Sequence, residues 1–165
     1  MFDQQDVLPS TQDVLSKQLQ QLGFTVEPYY LKNSFFALGY QVTINDFQLV
    51  YRLEANTVVF IIYRRLSAQR GLKNPFLVFQ AFIYLLTLIP EIKHVTGSAN
   101  ALKTDLRRPL STEKLKIVYK QWFNGRTSHW ENGQEWFTFE LKNYRPYFQL
   151  KSLQKVIHQH LPANH

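Results

Sequence analysis

The order of apolar and polar residues along the chain changes period several times, and each change marks an element. Leu15, Leu19 and Leu22 recur at helical spacing, with Ser10 or Thr11 placed to cap a helix through Gln21 and Gly23 placed to stop it. Asp13 then falls in the first turn, where it suits the helix dipole. Phe24 to Val26 reads as extended, and Pro28-Tyr29-Tyr30 as a break. Three strands follow, Ser34 to Thr43, Phe47 to Leu53 and Thr57 to Tyr63. In the last of these, Val58 to Tyr63, β-branched and aromatic residues run without helical gaps. Asn45-Asp46 and Ala55-Asn56 are turn residues at the gaps, and connections that short make an antiparallel meander. Phe47, Leu49, Tyr51 and Leu53 alternate against Gln48, Val50 and Arg52, so one face of this strand is expected to be at least partly exposed.

From Phe76 to Ile89 the chain is apolar on every face, which predicts a central helix rather than a surface cover. Asn74-Pro75 opens it. An asparagine side chain accepts a bond from an orphan backbone N–H, and proline at the first helical position gives up no bond it needed. Pro90 forces the stop. His94 to Leu102 reads as a short strand weakened by Gly97. Ser111 caps a second clear helix through Asn124, with Leu110 stapled onto Leu115 and a buried stripe of Leu115, Val118, Tyr119 and Trp122. Glu131 to Gly133 is a turn, Glu135 to Leu141 a strand, and Lys151 to Leu161 a short amphipathic helix.

These elements predict an α/β sandwich of the α+β type: N-terminal helix, three-stranded antiparallel meander, buried central helix, then strand, helix and strand. The expectation is a single domain over residues 1–165, with a loose N-terminus over about the first nine residues and a tail from about residue 144. Composition agrees with a folded chain. There are 13 Phe, 9 Tyr and 3 Trp, enough aromatic surface to oppose disorder. Cysteine is absent, which excludes disulfides, thiolate zinc sites and a cysteine nucleophile. The opening MFDQQDVLPS lacks the basic and apolar regions of a signal peptide. The central helix falls short of the ~20 residues that span a bilayer. A soluble protein with no membrane-inserted segment is therefore expected.

Charge changes the picture. The net charge is +7, but from Arg64 to Arg126 there are 12 Lys or Arg against three acids. A basic middle points to an acidic protein surface, a phosphate-bearing ligand or nucleic acid. Arg64, Arg65, Arg70 and Lys73 crowd around Gly71, between the apolar strand and the helix start at Asn74. Strand, basic loop and helix N-terminus thus converge where cations and backbone N–H groups could meet an anion; a merely solvated loop is the alternative. Arg107 and Arg108 precede the second helix and extend the basic region. The candidate partner- or anion-binding residues are therefore Arg64, Arg65, Arg70, Gly71, Lys73, Asn74, Arg107 and Arg108. Catalytic residues are not indicated: Ser98 and Ser111 have no neighbour that marks a nucleophile. His158 and His160 lie two apart, the wrong spacing for one helical face, so no metal site is expected. Trp130 and Tyr147 sit in loop-like contexts, with core the favoured reading for each.

Gln69 to Phe76, followed by an apolar helix, a glycine-bearing strand and the run Pro109 to Gly125, resembles the LcrR family of type III secretion regulators. The residues that carry the resemblance are QRGLKNPF and then Leu110, Ser111, Thr112, Tyr119, Trp122 and Gly125, over about Leu38 to Leu141. The resemblance implies a cytoplasmic bacterial protein, non-catalytic, regulatory or chaperone-like, that controls type III secretion by binding another secretion component. No cofactor is implied. An acidic surface on that partner would suit the basic middle. In topology alone, strand, basic glycine loop, helix, strand and helix is similar to the core of GNAT acyltransferases, whose loop N–H groups grip the pyrophosphate of acyl-CoA. Their pattern departs here at both ends, with Ala68 three residues before Gly71 and Lys73 two after it. An acyl-CoA enzyme is the alternative of a different class. A DNA-binding regulator comes third, because the outward face of Thr112 to Asn124 places no arginine or asparagine to read base edges.

Overall fold

The computed structural model describes residues 13–66, 75–98, 126–131 and 133–158. The first helix, α1, runs Val14–Gln21 and is capped by Asp13, two or three residues later than Thr11 or Ser10 would have placed it. Asp13 Oδ1 accepts from the Ser16 N–H at 2.6 Å, and its negative charge suits the positive end of the helix. Ser16 Oγ donates back to Asp13 Oδ2 at 3.0 Å and lies 2.7 Å from the Tyr51 hydroxyl, which ties α1 to the sheet. Leu15 and Leu19 are fully buried beneath it.

Seven strands follow: β1 Glu27–Tyr30, β2 Ala37–Ile44, β3 Phe47–Glu54, β4 Thr57–Arg65, β5 His94–Ser98, β6 Arg126–Glu131 and β7 Gln134–Glu140. They form one sheet in the order β1-β2-β3-β4-β5-β7-β6. The first four are antiparallel neighbours, so the expected three-stranded meander gains a fourth strand at its edge. That strand contains Pro28, read from sequence as a break. A proline on a sheet edge can turn its missing N–H to solvent, which is why the pairing survives. β2 begins at Ala37 rather than Ser34, leaving Phe35 and Phe36 outside it. β6 is the other addition, and it places Trp130 in a strand rather than a loop. The expected face of β3 is also less open than alternation suggested, since Gln48 and Val50 are both buried.

β4 and β5 are parallel, paired from Thr57–His94 to Phe60–Gly97, and α2 (Pro75–Thr87) lies between them in the chain. This helix is the centre of the core, as its all-round apolar sequence predicts. Phe79, Phe82 and Leu86 are all buried. Phe82 meets Tyr51 and Phe60 at ring separations of 6.0 and 5.5 Å, and Phe79 meets Phe60 and Tyr63 at 5.1 and 5.4 Å. The tail helix α3, Leu150–His158, packs on α2 through Leu153, Val156 and Ile157. A polar clamp fixes the approach to it: the Gln80 carbonyl oxygen Oε1 accepts from the Tyr144 hydroxyl at 3.1 Å and from the Tyr147 N–H at 2.9 Å. The three helices and one face of the sheet share a continuous hydrophobic cluster, which makes the fold the α/β sandwich expected. The helix expected over Thr112 to Asn124 lies outside the described residues.

Candidate functional site

Of the eight candidate residues, Arg64 and Arg65 are described; Arg70, Gly71, Lys73, Asn74, Arg107 and Arg108 lie outside the described residues. Both arginines end β4, and strand alternation sends their side chains to opposite faces of the sheet. They are therefore not a paired cation cluster.

Arg64 is exposed, yet its position is set by the sheet. Its Nε donates to Gln48 Oε1 at 2.7 Å; Gln48 Nε2 donates to Gln41 Oε1 at 2.8 Å; Gln41 Nε2 donates to the Pro28 carbonyl at 3.4 Å. One polar ladder thus crosses four strands, β4 to β1. The amide of the largely buried Gln48 is satisfied at both ends, which a dehydrated polar group requires. Arg64 is left with its remaining N–H donors beyond the Gln48 bond and a fixed origin for its charge. We expect an Arg64→Ala, Gln48→Ala double-mutant cycle, read from urea midpoints, to give a coupling of about 1 kcal/mol. A coupling indistinguishable from zero would show that the ladder places nothing.

Arg65 sits on the helix-bearing face, half-buried, with its guanidinium carbon 5.0 Å from the centre of the Phe47 ring. Phe47 stacks on Tyr63 at 5.4 Å. Burial pushes the Tyr63 hydroxyl well above its ordinary range, against the opposing pull of Arg65 and of a backbone bond at Phe79. Arg65 is thus a packing residue as much as a surface charge. The Leu66 N–H then donates to the Asp46 carbonyl at 2.8 Å, so the chain leaves β4 against the β2–β3 turn. α2 begins at Pro75, where the Asn-Pro signal placed it.

Sequence reasoning did not find the glutamine ladder. Gln41 and Gln48 look like ordinary outward positions of two strands, and only the register that sets Gln41 opposite Val50 and Thr43 opposite Gln48 brings their amides into reach. It also put Tyr147 in the core, whereas Tyr147 is 72% exposed and packs edge-on against Phe148 at 5.3 Å. Its backbone, not its ring, does the anchoring, through Gln80. Among the described residues no group of three or more metal-ligating side chains occurs, and no helix is long and apolar enough to cross a membrane.

The arrangement is that of a mixed-sheet scaffold presenting basic side chains at one end of its central strand. A family model for the type III secretion system regulator LcrR matches residues 12–155. The chain belongs to the LcrR family of type III secretion regulators. Relatives include the low calcium response locus protein R of Yersinia enterocolitica, 26% identical over 138 residues, which covers 79% of this chain and 86% of that protein. The protein of the same name from Yersinia pestis is 26% identical over 137 residues, covering 78% and 86%. No solved structure matches the chain.

Proposed function

We propose that this regulator works without catalysis, in the cytoplasm, by holding another secretion protein through an acidic surface on that partner, in the manner of a chaperone. The observation that carries this reading is the Arg64 ladder. A cation anchored across four strands stands at the entry to a sequence that adds Arg70 and Lys73 within nine residues. Such a fixed charge steers and orients an acidic partner more than it adds raw affinity. The test is charge reversal at Arg64, Arg70 and Lys73 to Glu in the full chain, with retention of secretion proteins measured by mass spectrometry. Wild-type retention should fall as salt rises toward about 150 mM, and the variant should retain none. A partner set unchanged by the reversal, or one lacking secretion proteins, would overturn the proposal.

The acyl-CoA reading has its own support. Among the described residues the parallel ladder between β4 and β5 stops at Phe60 and Gly97, while β4 runs on to Arg65. Among the described residues the flank of β4 from Ile61 onward thus has no strand paired on the β5 side, a short distance along the sequence before the basic run around Gly71. Titration calorimetry with coenzyme A separates the two readings: heat of binding that disappears in the Arg70→Ala, Lys73→Ala variant favours a cofactor site, and no heat removes it.

A further inference from the structure

At the end of the sheet opposite Arg64, the β1–β2 connection presents an apolar tip. Phe35 is 86% exposed, Phe36 63%, Leu31 49% and Tyr30 41%. Four large apolar side chains on one hairpin end are more than scattered surface hydrophobics. The loop that carries them is built rather than loose. The Leu31 N–H donates to the Phe36 carbonyl at 2.8 Å, and the Ser34 N–H to the Leu31 carbonyl at 3.0 Å. Ser34 Oγ donates to the same Leu31 carbonyl at 2.9 Å and accepts from the Phe36 N–H at 3.1 Å. Asn33 takes the left-handed conformation the turn needs, at φ 59°. The Leu31, Ser34 and Phe36 backbone groups thus bond within the tip, which lowers the cost of seating it in the headgroup layer.

The edge itself does not invite pairing with a second copy. β1 has four residues and contains Pro28, two devices that protect a sheet edge. Nor does the tip read as a charge-matched protein contact, since from Pro28 to Leu38 its sole charged residue is Lys32. Around it, at the same end of the sheet, the acids are largely engaged: Glu54 pairs with Arg52, and Glu140 with Lys142 at 3.6 Å and with His94 at 3.9 Å. Lys93 stands exposed beside the Glu54–Thr57 turn, its N–H bonded to the Asn56 carbonyl at 2.8 Å, with Glu91 as the opposing acid. Lys93 and Lys142 rim an open cleft of about 450 Å³ floored by Ile89, Ile92 and Leu141. Leu88, 53% exposed, adds apolar surface at this end.

We propose that the tip from Tyr30 to Phe36 is a peripheral membrane contact that seats Phe35 and Phe36 among the headgroups of an anionic bilayer, with Lys32 and Lys93 facing the lipid charge. Aromatic rings favour that interface, and each nearby lysine adds attraction to an anionic leaflet. The contact requires no spanning segment.

The test is flotation of the full chain with vesicles of phosphatidylethanolamine and phosphatidylglycerol, against vesicles of phosphatidylcholine alone. Binding to the anionic vesicles should exceed binding to the neutral ones by about tenfold or more, as expected where Lys32 and Lys93 each add about fivefold. Phe35→Ser with Phe36→Ser should lower partitioning at least about tenfold, and Lys32→Ala about fivefold. The melting temperature of both variants should stay at the wild-type value, because the changed side chains are exposed. Wild-type protein that does not float with anionic vesicles, or a double serine variant that floats as well as wild type, would overturn the proposal and leave the tip to a protein partner.

Discussion

Gly39→Ala is expected to cost about 3 kcal/mol or more, at the top of the range for overpacking, and to lower the melting temperature by roughly 6–12 °C or more. A methyl group built on Gly39 would overlap the Tyr51 carbonyl oxygen and lie 3.0 Å from its carbon. Backbone atoms of the neighbouring strand cannot turn aside as a flexible side chain can. The crowding has a local cause: the β3–β4 register slips between Val50 and Tyr51, leaving Ile61 as the extra residue, and Ile61 Cδ1 is the next atom a Gly39 methyl would meet, at 3.4 Å. Gly39 therefore lets β2 close on a bulged pair. Gly133→Ala is the matched control. Nothing lies within 4 Å of its added methyl, and its positive φ of 76° is the sole objection, worth about 1 kcal/mol. Thermal melts of the two variants should separate widely. Equal melting temperatures would mean the β2–β3 approach is not tight.

What could be read from the residues alone follows the range of the forces involved. The apolar run of α2 and the turns at Asn45-Asp46 and Ala55-Asn56 are local signals, and all three elements stand where those signals put them; Asn45, Asp46 and Ala55 all have positive φ. Asp13 was read as a dipole residue and is the cap, a local matter of which acceptor wins the first free N–H groups. Pro28 misled because its effect depends on being at an edge, which is a property of the assembled sheet. The candidate site was legible as composition and not as geometry. Arg64 and Arg65 are adjacent in sequence and part to opposite faces, while Gln41, seven residues from Gln48, is bonded to it. Tyr144 and Gln80 are separated by 64 residues, and no periodicity reports such a bond.

Raising the pH above 10 should unfold the protein over a few pH units, and buried tyrosines are the reason. The hydroxyls of Tyr51 and Tyr63 are both raised from the ordinary value of 10.0, first of all by burial. For Tyr51 the bond to Ser16 opposes the rise, while Asp13 and Tyr40 add to it. Tyr144 is shifted in the same direction by burial. The neutral phenol is the form the folded state holds. Below pH 10 both states keep their protons, so these groups leave stability unchanged with pH. Above it the unfolded chain ionises while the folded chain does not, the unfolded state binds fewer protons, and stability falls as pH rises. Each such tyrosine contributes a slope of about 1.4 kcal/mol per pH unit, so Tyr51 and Tyr63 together remove about 3 kcal/mol per unit. A domain of ordinary stability, about 5–15 kcal/mol, is exhausted within a few units. Far-ultraviolet ellipticity and phenolate absorbance recorded together from pH 8 to 12.5 check this. Part of the absorbance should rise near pH 10 with the exposed tyrosines, and the remainder should appear in step with loss of ellipticity. In Tyr51→Phe the pH slope of stability, read by urea titration at each pH, should be shallower by about 1.4 kcal/mol per unit. Complete phenolate formation near pH 10 with ellipticity intact would show that these hydroxyls are open to solvent and that the core around Phe82 is not closed.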